Sequence, residues 1–250
     1  MTLWPTARYA PQRIQAVPMP LHGIIINAFY EIVKAVFALL FLLMYMYPTF
    51  TMIASFVEEK ETRVREVLRM MGVDNTSILV SWFALYILLF GVLNLLLTVT
   101  AGVSIFAYTD NTVLFIFLTL YTWSAISFAY FIHVFFDKAR TGGIAGALIF
   151  NCCYFVYAAT FDFSEGNVKS DGSLNLCLLS PAAFAYGISL LCNLEAVNQG
   201  AHWGTLSEDT GAGITLADVF AMLLFDAFLY GTVRARPGRL SALSVFHSKN

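Results

Sequence analysis

The chain has 250 residues, of which 59% are hydrophobic and only 12% are charged. An ordinary soluble domain is about 45–50% apolar and about 25% charged, so this composition excludes a cytosolic or secreted globular domain. The formal net charge of −2 also excludes binding to nucleic acid through an excess of positive charge. We therefore expect an all-α polytopic membrane fold.

Residues 1–31 are predicted to be irregular and to lie outside the membrane. Four prolines, at positions 5, 11, 18 and 20, interrupt this segment. It also lacks the basic start, short apolar core and small-residue cleavage site of a secretory signal sequence.

Five apolar stretches are predicted to cross the membrane as helices, which takes about 20 predominantly apolar residues each. The second stretch is long enough to tilt or to project beyond the bilayer. The fifth is short for a spanning helix. The five predicted spans cover approximately residues 32–57, 77–108, 112–136, 142–161 and 216–231.

The segment between the fourth and fifth spans contains a stretch, residues 174–191, that is too apolar for a free loop. Pro181 and Gly187 also interrupt it, so that it does not predict one straight span. We expect an outer re-entrant or interfacial helical hairpin here, covered by protein so that its backbone groups are satisfied.

A charged stretch, residues 58–72, lies between the first two spans and is predicted to form a short amphipathic helix. Gly72 is expected to end this helix in a left-handed conformation, and Asp74 or Asn75 to cap the next one. Four residues at i, i+3, i+4 and i+7 make one apolar stripe: Val64, Val67, Leu68 and Met71.

The charges of this stretch favour the same helix. Acidic residues precede basic residues by four positions, which is the favourable order for a helical ion pair, in Glu59 with Arg63 and Glu61 with Arg65. A charged helix between two spans predicts a docking element at the membrane surface. Its charged residues are Glu58, Glu59, Lys60, Glu61, Arg63, Arg65, Glu66 and Arg69.

The distribution of lysine and arginine predicts which side of the membrane each connection faces. Basic residues are concentrated in residues 58–76, 137–141 and 232–250, whereas 109–111 has none and 162–215 has only one. The three basic segments follow the first, third and fifth predicted spans, so a chain with five spans places all three on the same side of the membrane. We therefore expect them in the cytosol, with the carboxyl terminus, and the amino terminus outside.

The order of the spans and several motifs resemble one known family. The longest motif is Glu-Glu-Lys-Glu-Thr-Arg-Val-Arg-Glu-Val-Leu-Arg-Met-Met-Gly-Val at residues 58–73. Phe-Phe-Asp-Lys-Ala-Arg at 135–140, Leu-Ser-Pro at 179–181 and Leu-Phe-Asp-Ala-Phe-Leu-Tyr-Gly at 224–231 agree with it. Over residues 16–231 the chain resembles the ABC-2 type transmembrane domain of the A subfamily of ATP-binding cassette transporters, the lipid-exporting branch.

This resemblance implies a role for both charged connections. In that family a coupling helix follows the second span, which corresponds to the first predicted span of this chain. The coupling helix docks against a nucleotide-binding domain and transmits ATP-driven motion to the spans. That role falls on residues 58–72, and a second cytosolic contact falls on Asp137, Lys138 and Arg140. From the residues alone, an interfacial helix that rests on lipid headgroups remains the open alternative.

The resemblance also implies the substrate, the partners and the cofactors. A member moves lipid or another amphipathic substrate, and works with a nucleotide-binding domain and a second transmembrane half. The sequence contains no Gly-x-x-x-x-Gly-Lys-[Ser/Thr] phosphate loop and no ATP-binding-cassette signature. We therefore expect ATP and Mg²⁺ to bind on a domain outside this chain, and the chain alone to hydrolyse no ATP.

Parts of the family pattern have no counterpart in the sequence. Its first span and most of its outer domain are missing, and residues 1–31 resemble the end of that domain. After Gly231 the match stops, and residues 232–250 are predicted to be a basic, unstructured cytosolic tail. A partial transporter domain is our first hypothesis. The alternative is a truncated, non-transporting membrane protein, or a gene-model fragment, that pairs with a complete transporter.

Asp226 lies inside the fifth predicted span, where a charge costs roughly 2.5–3.5 kcal/mol on insertion scales. A carboxylate in the membrane is a functional candidate. Its place in the family motif favours a structural role, such as a polar contact to a neighbouring helix, over substrate or proton chemistry. The sequence has no paired carboxylates, Ser-His-Asp set or His-Glu-x-x-His motif to support a catalytic or metal site.

Overall fold

The computed structural model describes residues 28–162, 167–168, 177–207 and 214–235, and most of them are helical. Two strands of two residues, β1 (Phe161–Asp162) and β2 (Asn167–Val168), pair antiparallel. This architecture confirms the predicted all-α polytopic fold. The helices are α1 (Ala28–Glu61), α2 (Val64–Met70), α3 (Asn75–Ser104), α4 (Asn111–Ile132), α5 (Ala139–Thr160), α6 (Ser180–Ala196) and α7 (Leu216–Ala235).

Four helical segments in the described residues are long and apolar enough to cross a membrane, and they occupy the first four predicted spans. The fifth predicted span lies in α7, which is not among these four. α1 begins at Ala28, inside the segment predicted to be irregular, and α7 continues to Ala235, inside the predicted tail. Residues 1–27 and 236–250 lie outside the described residues. The four segments are Val36–Glu61, Thr76–Ser104, Asn111–Phe135 and Ala139–Ala159.

α4 lies at the centre of the bundle and α3 at its edge. In the spanning windows, 67% of the α4 residues are buried but only 24% of the α3 residues. Phe117 and Tyr121 of α4 stack on Phe184 of α6, with ring centroids 5.4 Å and 3.8 Å apart. Large aromatic rings bury about 150–250 Å² each, so α4 is the main packing surface of the bundle.

A buried polar contact joins the middle of three helices. The hydroxyl of Tyr45 in α1 donates to Oδ1 of Asn94 in α3, and Nδ2 of Asn94 donates to Oγ1 of Thr122 in α4 at 2.9 Å. All three side chains are buried. Polar groups in a membrane-spanning bundle need such partners, so this contact fixes how α1, α3 and α4 lie against one another.

Small residues let α5 approach α1 closely. A Cβ atom at Gly142 would lie 2.9 Å from Cγ2 of Val57, and one at Gly146 would lie 2.6 Å from Cδ1 of Ile53. The Gly-x-x-x-Gly spacing therefore forms the contact face of α5, because any side chain there would push the two helices apart.

α6 occupies most of the stretch that was predicted to be an outer hairpin, and other helices enclose it. Pro181 lies in its first turn, where a missing backbone N–H leaves no hydrogen bond unmade, so the proline starts the helix instead of bending it. Every residue of α6 except Asn193 is buried, and Asn193 accepts a hydrogen bond from the buried Lys34 at 2.9 Å. Residues 180–191 of the predicted hairpin form one helix that Gly187 does not interrupt, and residues 174–176 lie outside the described residues, so the hairpin stays a prediction.

Candidate coupling site

The charged stretch forms a bend between two helices, and the single helix predicted for residues 58–72 is wrong. α1 continues to Glu61, and Arg63 then adopts a left-handed backbone conformation with φ 56°. The following helix, α2, has only seven residues. The predicted ion pairs four residues apart stabilise a helix by only about 0.3–0.5 kcal/mol each. In the structure Lys60 and Glu61 instead contact Phe136, Asp137 and Ala139.

The carboxyl end of α2 confirms the predicted role of Gly72. Its φ is 88°, its N–H donates to the carbonyl of Arg69 at 3.0 Å, and the N–H of Val73 donates to the carbonyl of Leu68 at 3.1 Å. This is a Schellman motif, which favours glycine because it needs a positive φ. Asp74 then occupies the cap position of α3, but its side chain accepts a hydrogen bond from the hydroxyl of Thr76 and makes no capping hydrogen bond to the backbone.

The apolar stripe of α2 is exposed. Val64, Val67 and Met71 are 44%, 49% and 67% exposed, and Leu68 is half-buried. An exposed apolar patch rimmed by charge marks an interaction site more often than chance exposure. The side chain of Arg65 is not among those described, but the other charged residues around the stripe are exposed: Glu58, Lys60, Glu61, Arg63, Glu66 and Arg69.

Three contacts from Lys60 and Glu61, which we call the clamp, join this bend to the second charged connection. Nζ of Lys60 lies 2.6 Å from Oδ1 of Asp137 and also donates to the carbonyl of Phe136 at 3.3 Å. Oε2 of Glu61 accepts the N–H of Ala139, the first residue of α5, at 2.8 Å. An exposed ion pair contributes at most about 1 kcal/mol, so the clamp fixes position more than it adds stability.

The structure thus brings together two connections that the sequence predicted separately. Asp137 is paired, and Lys138 and Arg140 lie exposed beside it. Sequence reasoning missed the pairing. Its only signal was the opposite charge of Lys60 and Asp137, and many other pairs in the two segments satisfied the same condition.

Asp226 lies apart from this site, in α7, and is completely buried. Neither of its carboxylate oxygens has a hydrogen-bond partner in the described part of the protein. The polar contact expected for it is therefore absent there. One turn later in α7, the hydroxyl of Tyr230 donates to the carbonyl of Leu178 at 2.8 Å. Asp226 is not among the residues that form α2 or the clamp.

Metal chemistry has no candidate in the described residues, because no three His, Cys, Asp or Glu side chains converge there. The arrangement at α2 is suited to mechanical work. The exposed helix α2 follows α1 after one bend, and the clamp ties the end of α1 to the start of α5, so α2 lies next to two spanning helices that are linked to each other.

A comparison with known protein families agrees with this geometry. The family described as "ABC-2 family transporter protein" matches residues 6–233. The chain is 29% identical over 221 residues to ATP-binding cassette sub-family A member 7 of Rattus norvegicus. It is 28% identical over 221 residues to the phospholipid-transporting ATPase ABCA7 of Homo sapiens, and 26% identical over 226 residues to the retinal-specific phospholipid-transporting ATPase ABCA4 of Homo sapiens.

These matches cover most of this chain but little of the relatives. They include 87%, 87% and 89% of this chain, respectively, and 10% of each relative. The chain therefore spans about a tenth of the length of the curated relatives that it matches.

Proposed function

Because this chain belongs to the ABC-2 family of transporter proteins, we propose that it is the membrane part of an ATP-driven transporter of phospholipid or a similar amphipathic molecule. The chain is an integral membrane protein of that family. The names of its relatives, two of which are phospholipid-transporting ATPases, support the substrate class.

The observation that carries the proposal is the surface made by α2 and the clamp. An exposed apolar stripe beside exposed arginines suits docking into a groove of a partner protein, as amphipathic helices do. We assign that partner as a nucleotide-binding domain, which would hold ATP and Mg²⁺. A second transmembrane half completes the transporter.

In this proposal the end of the bundle that carries α2 faces the cytosol. The support is the concentration of lysine and arginine in residues 58–76, 137–141 and 232–250. ATP binding drives transport only if the partner holds α2 differently in its ATP-bound and free states. The difference moves α1 and α5 against the remaining helices and opens a lateral path for lipid.

The experiment that tests this function reverses the charge of three arginines at once, Arg63→Glu, Arg65→Glu and Arg69→Glu, in the complete transporter. We expect normal insertion into the membrane, because none of the three lies in a spanning segment. ATP-dependent lipid transport should fall by roughly tenfold or more, within the range of typical coupling free energies. Vesicle-based lipid transport and ATP hydrolysis are measured in parallel.

The matched control reverses three arginines of the basic carboxyl-terminal segment, Arg234, Arg236 and Arg239. It changes the net charge by the same amount, so a general effect of charge on insertion would affect both variants equally. Transport that is unchanged in the first variant, or lost equally in both, would contradict the coupling role of α2.

A further inference from the structure

The carboxyl group of Asp226 lies where α7 packs against the first half of α6. Val219 and Tyr230 are on the same face of α7 as Asp226, at i−7 and i+4, and both meet α6. A Cβ atom at Gly187 of α6 would lie 3.3 Å from Cγ1 of Val219, and the hydroxyl of Tyr230 donates to the carbonyl of Leu178. Asp226 therefore faces α6 between these two contacts.

The start of α6 donates no hydrogen bond to this carboxyl group. Pro181 has no N–H, and the N–H groups of Ala182 and Ala183 donate to the carbonyl of Leu179 at 2.8 Å and 2.9 Å. Within the described part of the chain, both carboxylate oxygens of Asp226 lack a hydrogen-bond partner, although the side chain is completely buried.

The charges around Asp226 do not offset its burial either. Thiol and phenol groups are neutral when protonated and negative when ionised, so none of them can neutralise a carboxylate. The described titratable groups that share this interface can carry only a negative charge: Cys177 and Tyr230, which the charge of Asp226 reaches, and beyond them Tyr121, Cys153 and Asp218.

Glu195, near the end of α6, shows the opposite arrangement. It is as completely buried as Asp226, but its Oε1 accepts the N–H of Tyr108 at 2.8 Å and its Oε2 accepts the hydroxyl of Thr109 at 2.9 Å. Hydrogen bonds to a carboxylate favour its charged form. A buried carboxyl group without such donors avoids the cost of burying a charge by keeping its proton.

We propose that Asp226 is a proton-binding site, which is protonated while α7 packs against α6 as it does here. The proton leaves to water when the two helices separate enough to hydrate the carboxylate, and it returns from water when they pack again. Proton binding therefore favours the packed arrangement. The proposal goes beyond the proposed function, because it concerns one side chain and holds whether or not the protein transports lipid.

Infrared spectroscopy tests this assignment directly, because a protonated carboxylic acid has a carbonyl stretching band that an ionised carboxylate lacks. The purified chain is measured at neutral pH in a detergent without carbonyl groups. We expect the band in the parent protein, and we expect it to shift when the aspartates are labelled with carbon-13. The band should be absent in Asp226→Asn.

Two variants are matched controls for the loss of the band. Glu195→Gln changes a carboxyl group that is just as buried but has two hydrogen-bond donors. Asp218→Asn makes the same chemical change in the same helix, at an exposed position in its first turn. Both variants should retain the band of the parent protein.

The pH dependence of stability is a second measurement. An unfolded chain releases the Asp226 proton above about pH 4, whereas the folded protein keeps it, so rising pH favours unfolding. Asp226→Asn cannot ionise and keeps the shape of the protonated group. Between about pH 5 and about pH 7, the ratio of folded to unfolded protein should fall more steeply in the parent, by up to roughly tenfold per pH unit relative to the variant. Denaturant unfolding measures this ratio.

Three results would overturn the proposal. The first is a folded parent protein without the band at neutral pH, and the second is a band that survives in Asp226→Asn. The third is a pH dependence of unfolding that is the same in both proteins. If Asp226→Asn fails to fold, the labelled parent still decides, because a band that carbon-13 aspartate does not shift belongs to another kind of residue.

Discussion

Phe117 is stacked on two other rings, and this restricts which residues its neighbour Gly187 can be replaced by. Phe117 stacks on Phe184 and on Phe220, with ring centroids 5.4 Å and 5.8 Å apart. A Cβ atom at Gly187 would lie 2.5 Å from Cζ of Phe117, a distance that real Cβ atoms do not reach. Because the stacked rings leave Phe117 no room to rotate away, a side chain at position 187 must displace α6.

We therefore predict that Gly187→Ala destabilises the protein by roughly 1–3 kcal/mol, the usual cost of overpacking a core. The measurement is the thermal unfolding midpoint of the purified protein in detergent. Gly91→Ala is the matched control, because Gly91 also lies inside an apolar helix but has no neighbouring atom within 4 Å of an added Cβ. Alanine is the better helix former by about 1 kcal/mol, so the control should be unchanged or slightly more stable. Equal destabilisation in both variants would contradict the packing argument.

A second residue-scale prediction concerns pH, at the end of the bundle opposite α2. Nδ1 of His202 lies 2.9 Å from Oδ2 of Asp110, and this hydrogen bond raises the pKa of His202. A raised pKa in the folded state means that folding favours the protonated form. The stabilisation is complete below the unfolded pKa of about 6.5, and it is lost as the pH rises through the higher folded pKa.

We expect the thermal unfolding midpoint to fall slightly between about pH 6 and about pH 8, and His202→Asn to reduce this dependence. The effect is small because both side chains are partly exposed to solvent. Asp110→Asn is the companion variant, since it removes the partner but keeps the histidine. A pH dependence that is identical in the parent and both variants would rule out this pair as its source.

At the scale of helices, the sequence was most informative where one physical signal dominated. Charge-free apolar runs predicted α1, α3, α4 and α5, because about 20 apolar residues have few alternatives to spanning a bilayer. Gly72 predicted the end of α2, because the left-handed position there favours glycine. In both cases local chemistry was sufficient.

The sequence was less informative where distant contacts decided the structure. Helical spacing predicted one helix from residue 58, but Lys60 and Glu61 are bound by the start of α5, and the chain bends at Arg63. The clamp could not be predicted from local patterns, since its partners are far apart in the sequence. Lys60 and Asp137 are separated by 77 positions, and Glu61 and Ala139 by 78. The burial of Glu59 could not be predicted either, because a charged side chain in the sequence predicts solvent exposure.

At the scale of the whole molecule, α1 and α5 form a unit that extends from the clamp into the membrane. The clamp holds their ends together at Lys60 and Glu61, and the glycine contacts at Val57 and Ile53 continue the same interface. α3 has little of its spanning surface buried, and the buried hydrogen bond from Tyr45 to Asn94 holds it against α1. We therefore expect a displacement of α2 to move α1 and α5 together.

This arrangement predicts that the clamp matters more for transport than for stability. Lys60→Glu and Asp137→Lys each place like charges at the contact, and each should lower lipid transport per ATP hydrolysed by roughly fivefold in the complete transporter. Because the pair is exposed, each should change the free energy of unfolding by less than about 1 kcal/mol. The double variant restores opposite charges in reversed order and should recover most of the transport. If it transports no better than the single variants, the ion pair does not carry the coupling, and the link from α2 to α5 must pass through the Glu61 contact with Ala139 alone.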